Sequence, residues 1–355
     1  MFYILNLVIF LVLAVLINLS YLSGKKKKHM LLFFGFLHLF FIHAFKDPMA
    51  FNDTPHYALA YDIMCKTGLV DYFKFANIKS SEISYAVLMY ISSLISTDTQ
   101  FIFVITSFLI LSGYFFVIKK YSVSIWLSIF LFYIIDFKIS LIVLRQFCAL
   151  AVIAYALPYI EKRNFKKFAI CQLVAFFFHF TSIVFFPMYI AYGFNLSERK
   201  FQRWIFLLLT LVGGIFFRAI YSYFGLSDDF GYESYMEVES GGANSKMFFL
   251  LLIVFYLFCI AYKKRLFSDY KNRLIFYLLY IGTCIAFFGI GLTATSRMNL
   301  YYSSFALILA LPKLIKSNIT YVKIAGFLII MALSYFYGKN LAYLEQDNMV
   351  YKFCF

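Results

Sequence analysis

Charge is what this chain has least of. Only 14% of its 355 residues are Asp, Glu, Lys or Arg, against about a quarter in an ordinary soluble domain. Acidic residues are the scarcer half, 17 against 32 basic ones, which leaves a net charge of +15. With 63% hydrophobic residues, a soluble fold of this length has too little polar surface to cover its apolar side chains. A bilayer removes that problem, provided each spanning segment satisfies its own backbone hydrogen bonds as a helix. Recognisable soluble chemistry is also missing. There is no Gly-rich phosphate loop and no Gly-x-Ser-x-Gly elbow, so neither a nucleotide fold nor a serine hydrolase is indicated. Cys65, Cys148, Cys171, Cys259, Cys284 and Cys354 form no Cys-x-x-Cys pair and have no histidine at ligand spacing, so no metal or cofactor is expected.

What is present is a run of apolar segments from end to end. A spanning helix needs about 20 apolar residues. Candidates fall at 2–22, 30–45, 100–118, 121–137, 140–160, 167–179, 180–193, 204–224, 247–262, 271–292, 298–312 and 319–337. The expectation is a single all-α polytopic membrane domain over 1–355, with about 12 transmembrane segments. Segment 2–22 has no basic start or small-residue cleavage site, so it reads as a membrane helix and not a leader. Two polar stretches interrupt the pattern, 46–99 and 225–246.

Charge bias sets the expected orientation. Lys25–Lys28, Lys119 with Lys120, the cluster at 161–167, that at 198–203, the one at 263–273, and Lys313 with Lys316 all fall in the cytoplasm under one arrangement. That arrangement requires segment 82–96 to be an external interfacial helix and segment 167–193 to be a hairpin with His179 near its outer tip. It leaves only Glu161, Glu198 and Asp269 of the acidic residues inside. The polar stretches 46–99 and 225–246 become external loops. The net positive charge then reflects membrane orientation and not nucleic-acid binding. Segment 82–96 is short and serine-rich, with Ile83, Val87 and Tyr90 on one helical face, the pattern of a helix lying in the interface.

Polar groups at membrane depth are costly, so each is a candidate for function. Arg145 opens a helix after an expected outer turn at Asp136–Lys138, where it either pairs with Asp136 or binds phosphate oxygens bidentately. Arg297 ends the polar string Thr-Ala-Thr-Ser-Arg, which suits an oxygen-rich ligand. Arg218 stands beside Tyr221 and Tyr223, as an interfacial anchor or a substrate contact. His179, beside Thr181 and Ser182, is a packing histidine or a general base. The first polar stretch carries Lys46, Asp47, Asp53, His56, Tyr57 and Asp62, followed by Glu82.

The order of these features resembles the EpsG family of bacterial membrane proteins, related in role to the Wzy polymerases of O-antigen and capsule. Asp53, Thr54 and Tyr57 match a first-loop motif, with Lys46 where an arginine is more usual and Phe51 in place of a glycine. Arg145 and Gln146 match a Leu-Arg-Gln helix start, Ala175 and His179 an Ala-x-x-x-His helix, and Arg297 a late Ser-Arg. The resemblance implies a GT-C-like glycosyltransferase architecture. It also implies transfer of a glycan from undecaprenyl pyrophosphate to the next lipid-linked repeat unit, on the outer face of the cytoplasmic membrane. On that reading Arg145 and Arg297 hold the pyrophosphate, while Gln146, Tyr57, Lys46 and Arg218 complete the substrate contacts. His179 leads as base, with Asp53 and Glu82 as rivals. The implied partners are undecaprenyl-pyrophosphate-linked glycans, the lipid bilayer and, as an option, a chain-length regulator, with no nucleic acid. The competing reading is a lipid-linked oligosaccharide flippase, which would show internal repeats; none is visible.

Overall fold

The computed structural model describes residues 2–75, 83–196, 198–224, 243–288, 293–346 and 351–355. These residues are overwhelmingly helical, and among them extended chain pairs only at an isolated antiparallel bridge between Lys46 and Phe353. Helices cover most of the described residues of the apolar segments. The described residues group into two compact units, the first comprising Met1–Pro158, Lys166–Ile183 and Tyr337–Phe355, the second Tyr159–Phe165 and Val184–Phe336.

The first unit begins with α1 (Phe2–Leu19) and α2 (Gly24–Ala44). Next come α3 (Thr54–Phe75), α4 (Ile83–Ser93) and α5 (Gln100–Tyr121). Helix α6 (Ile125–Phe132) runs through a π-helical turn, Tyr133–Phe137, into α7 (Lys138–Ile142), and α8 spans Leu144–Glu161. Apolar side chains decide which helices are central. Leu150, Ala151, Ile153, Ala154 and Leu157 of α8 are fully buried, whereas Leu5, Val8, Val12, Val15 and Leu16 leave one face of α1 exposed, as a lipid-facing helix requires. Gly113 lets α5 approach α8 closely, since a Cβ there would come within 2.7 Å of the Ala151 Cα. Small residues at such crossings are how membrane helices gain packing when no hydrophobic drive separates them from lipid.

Two sequence expectations are corrected in this unit. The stretch 46–81 is not simply a loop, because α3 occupies 22 residues of it, broken at Gly68, whose φ of 73° is left-handed. Residues 136–138 are not a turn either. Helix continues through them to Ile142, and the break falls at Val143, where ψ is 66°. Asp136 is fully buried and accepts a 3.0 Å hydrogen bond from the Tyr114 hydroxyl. That partner, remote in sequence, is why an acidic residue sits inside a helix where a turn was expected.

Helix α4 is 11 residues long, about 16 Å at helical rise, too short to cross a bilayer core of roughly 30 Å. Tyr85, Ala86, Met89 and Ser92 face the protein, while Val87, Ile91 and Leu94 are exposed. His43 ties α2 to its neighbours: one ring nitrogen is 2.7 Å from the Ser107 hydroxyl and the other 3.1 Å from that of Ser140. The final residues are held at the end of α2. Asp47 N–H donates to the Lys352 carbonyl at 2.8 Å, Cys354 N–H to the Phe45 carbonyl at 3.0 Å, and the Tyr351 ring stacks on Phe2 at 4.0 Å.

Helix α9 (Phe165–Phe178) leads into a 3₁₀ turn, Phe180–Phe185, and α10 (Pro187–Gly193). Within the first unit, the Gln172 side-chain amide donates to the Ser182 carbonyl at 2.9 Å. Within the second, the Phe165 ring lies 5.4 Å from Tyr189, and the Arg163 guanidinium 5.5 Å from the same ring. The Gln172–Ser182 bond folds the end of α9 back on itself beside His179 within the first unit.

The second unit continues with α11 (Lys200–Phe224), α12 (Ala243–Ala261), the short α13 (Lys263–Leu266), α14 (Tyr270–Phe288), α15 (Thr293–Ile315) and α16 (Thr320–Gln346), whose last turns belong to the first unit. Helices α14 and α15 form its core, with Leu274–Leu279 and Phe305–Leu311 buried on every face. Gly214 brings α11 against α14, where a Cβ would overlap the Phe288 carbonyl. Five described helices are long and apolar enough to cross a membrane: Phe2–Leu19, Gln100–Tyr121, Ile125–Ile142, Arg297–Ile315 and Thr320–Lys339. Shorter apolar helices lie at Ile83–Ser93, Phe180–Gly193, Leu250–Ala261 and Asn272–Phe288.

Candidate functional site

In the first unit, the break at Val143 makes Arg145 part of the first turn of α8. The start of α3 is fixed by Thr54, which is fully buried and whose hydroxyl donates to the Phe51 carbonyl at 3.0 Å. One helical turn later, Tyr57 reaches Arg145, the guanidinium carbon lying 5.6 Å from the centre of its ring. Tyr85 of α4 completes the group, with its ring 5.5 Å from that of Tyr57.

These side chains line a cavity of about 100 Å³, together with His56, Tyr72 and Met89, a space sufficient for a few waters or one phosphate-sized group. Burial raises the Tyr57 hydroxyl above the ordinary tyrosine range, against the opposing pull of the adjacent Arg145 charge, and Asp53 acts in the same sense as burial. Burial raises Tyr85 further. Both phenols are therefore neutral hydrogen-bond donors beside a permanent cation. That combination suits an oxyanion and not a metal ion.

The structure thus brings Tyr57 and Arg145 together, with Asp53 close enough to act on Tyr57. Other expected site residues lie elsewhere. Gln146 is buried on α8 outside the cavity lining. Lys46 is fully buried at the end of α2, its ammonium donating to the His43 carbonyl at 3.0 Å and lying 4.9 Å above the Phe103 ring. His179 directly follows α9, its backbone N–H donating to the Ala175 carbonyl at 3.0 Å, and does not line the cavity. Arg297 is exposed in the first turns of α15, in the second unit. Arg218 lies on α11 of that unit, with its side chain outside the described set. Glu82 and 225–242 lie outside the described residues. Tyr72, Tyr85 and Met89 were not singled out as ligands. The only signal for Tyr85 was its place on the short interfacial segment.

Helices long enough to span, the flanking apolar helices and the lipid-facing surface of α1 define a multi-pass α-helical membrane protein. The sequence model of the EpsG family matches residues 29–353, and the chain belongs to that family. Membership places it in polysaccharide biosynthesis, among polymerases of the glycosyltransferase kind. No curated protein and no solved structure matches the chain.

Proposed function

We propose that the chain polymerises undecaprenyl-pyrophosphate-linked oligosaccharide repeat units in the bacterial cytoplasmic membrane, with its active site facing outward. An acceptor hydroxyl oxygen attacks the anomeric carbon of the growing, lipid-linked glycan. The bond from that carbon to the pyrophosphate oxygen breaks, undecaprenyl pyrophosphate leaves, and the acceptor proton passes to a base. Negative charge grows on the leaving oxygen, so fixed donors aimed there lower the barrier most.

The observation that carries this reading is Arg145 over the Tyr57 ring, with Tyr85 lining the same cavity, in a chain of this family. Arg145 and Arg297 bind the pyrophosphate, with Tyr57 and Arg218 completing the binding set. His179 takes the proton, with Asp53 and Glu82 as the alternatives. The twelve apolar segments span the membrane as one domain of GT-C-like architecture, with 46–99 and 225–246 external.

The test is the surface-glycan ladder of a deletion strain carrying Arg145→Ala expressed at the wild-type level. Single repeat units without longer chains are expected. A normal ladder would overturn the assignment, and loss of even single surface units would indicate a flippase.

A further inference from the structure

The second unit holds a larger and differently charged cavity, of about 900 Å³. Its wall carries five cationic side chains, Lys200, Arg203, Lys263, Lys264 and Arg273, against one carboxylate, Glu198. That carboxylate is shared: Lys263 donates to it at 2.7 Å, and Arg273 approaches it at 3.7 Å. Among the described residues no carboxylate pairs with Lys200, Arg203 or Lys264. The Nε groups of Arg203 and Arg273 are buried and form no hydrogen bond.

This excess is not accounted for by helix stability. Lys200, Arg203 and Arg273 stand in the first turns of α11 and α14, where the helix dipole disfavours a positive charge. Lys200 and Lys264 are exposed, but Arg203 and Arg273 stand close enough to Lys263 to repel its charge, and the Lys263 side chain is only 12% exposed. Arg273 is held in place: it donates to the Tyr192 carbonyl at 3.2 Å, and its guanidinium lies 4.7 Å from the Tyr192 ring and 5.6 Å from the Tyr277 ring. A guanidinium held in place on a wall rich in cations suits a planar or tetrahedral oxyanion. Apolar residues Trp204, Ile260 and Phe267 share the wall, and Trp204 is 46% exposed, the habit of an interfacial tryptophan.

We infer that this cavity binds a phosphate or pyrophosphate group through Arg203 and Arg273, with Lys200 and Lys264 supplying the balancing charge. It is distinct from the polymerase site proposed above and does not depend on it. The ligand is either the headgroup of an anionic phospholipid entering from the bilayer or a soluble phosphate. On the charge-bias orientation, the segments that build it are cytoplasmic.

Trp126→Phe leaves Trp204 as the single tryptophan of the chain, so its emission reports the site in purified full-length protein in neutral detergent. One arm titrates inorganic pyrophosphate; the other titrates phosphatidic acid against phosphatidylcholine in mixed micelles. A saturable change with pyrophosphate identifies a soluble ligand, and one with phosphatidic acid alone identifies a lipid. Either change should weaken at least tenfold in Arg203→Gln/Arg273→Gln. It should be unaffected in Lys25→Gln/Lys26→Gln, which removes the same charge from a different cluster. If the double arginine variant does not fold by thermal melt, exposed Lys264→Gln serves instead, with roughly threefold weakening expected. The inference falls if neither probe gives a saturable change. It also falls if the cavity variants bind as the parent does, or if the Lys25/Lys26 variant loses affinity equally.

Discussion

The guanidinium carbon of Arg145 lies 5.6 Å from the centre of the Tyr57 ring, joining the first turn of α8 to the first turn of α3. The aromatic face orients the cation, and burial keeps the phenol protonated. Removal of a donor that stabilises a developing anion costs about 10²–10³-fold in rate. Arg145→Ala should therefore lower polymerisation by about that factor, while Arg145→Lys, which keeps the charge but not the fork, should retain partial activity. Chain-length distributions at matched expression check this.

If His179 is the base, His179→Gln should cost about 10²–10⁴-fold while leaving lipid-linked units bound. Asp53→Asn should cost far less. The reverse order, read from the same glycan ladders, would move the base to the start of α3.

Gly113 faces the Ala151 backbone, where a Cβ would sit 2.7 Å from Cα. Overpacking of this kind costs roughly 1–3 kcal/mol, so Gly113→Ala should lower the melting temperature in detergent. Gly24→Ala, with nothing within 4 Å of the added carbon, is the matched control and should be silent.

Lys46 is buried and its pKa is pushed down to about 7 by desolvation. Above that pH the folded protein holds it neutral, whereas the unfolded chain keeps it protonated up to its usual 10.5. The unfolded state then binds more protons, so this residue makes stability rise with pH between about 7 and 10.5, by at most about 1.4 kcal/mol per pH unit. Below pH 7 both states are protonated and its contribution is flat. Lys46→Met should remove the upward slope from thermal melts taken across that window.

Tyr351 ties the end of the chain to its beginning, stacking on Phe2 and donating to the Ile42 carbonyl at 2.5 Å. Tyr351→Ala should cost about 3 kcal/mol and Tyr351→Phe about 1 kcal/mol. Equal losses in the two variants would mean that the hydroxyl alone holds the strap.

The sequence by itself determined the membrane class and the run of apolar helices, because hydropathy is summed along the chain and needs no knowledge of neighbours. It also picked out Tyr57 and Arg145 separately, through their motifs. Tertiary structure decided what could not be summed. Helix α3 escaped notice because Asp62, Lys66, Asp71 and Lys74 give it a soluble composition. Its Lys66–Asp62 and Lys74–Asp71 pairs, one helical turn apart, are satisfied on the helix itself. Asp136 looked like a turn until Tyr114 supplied a hydroxyl from another helix. Lys46 looked like a loop cation until the returning C-terminal residues and Phe103 enclosed it. The Arg145–Tyr57 cavity exists only because α3, α4 and α8 converge. That is a property of contacts between residues nearly ninety positions apart, which no local pattern encodes.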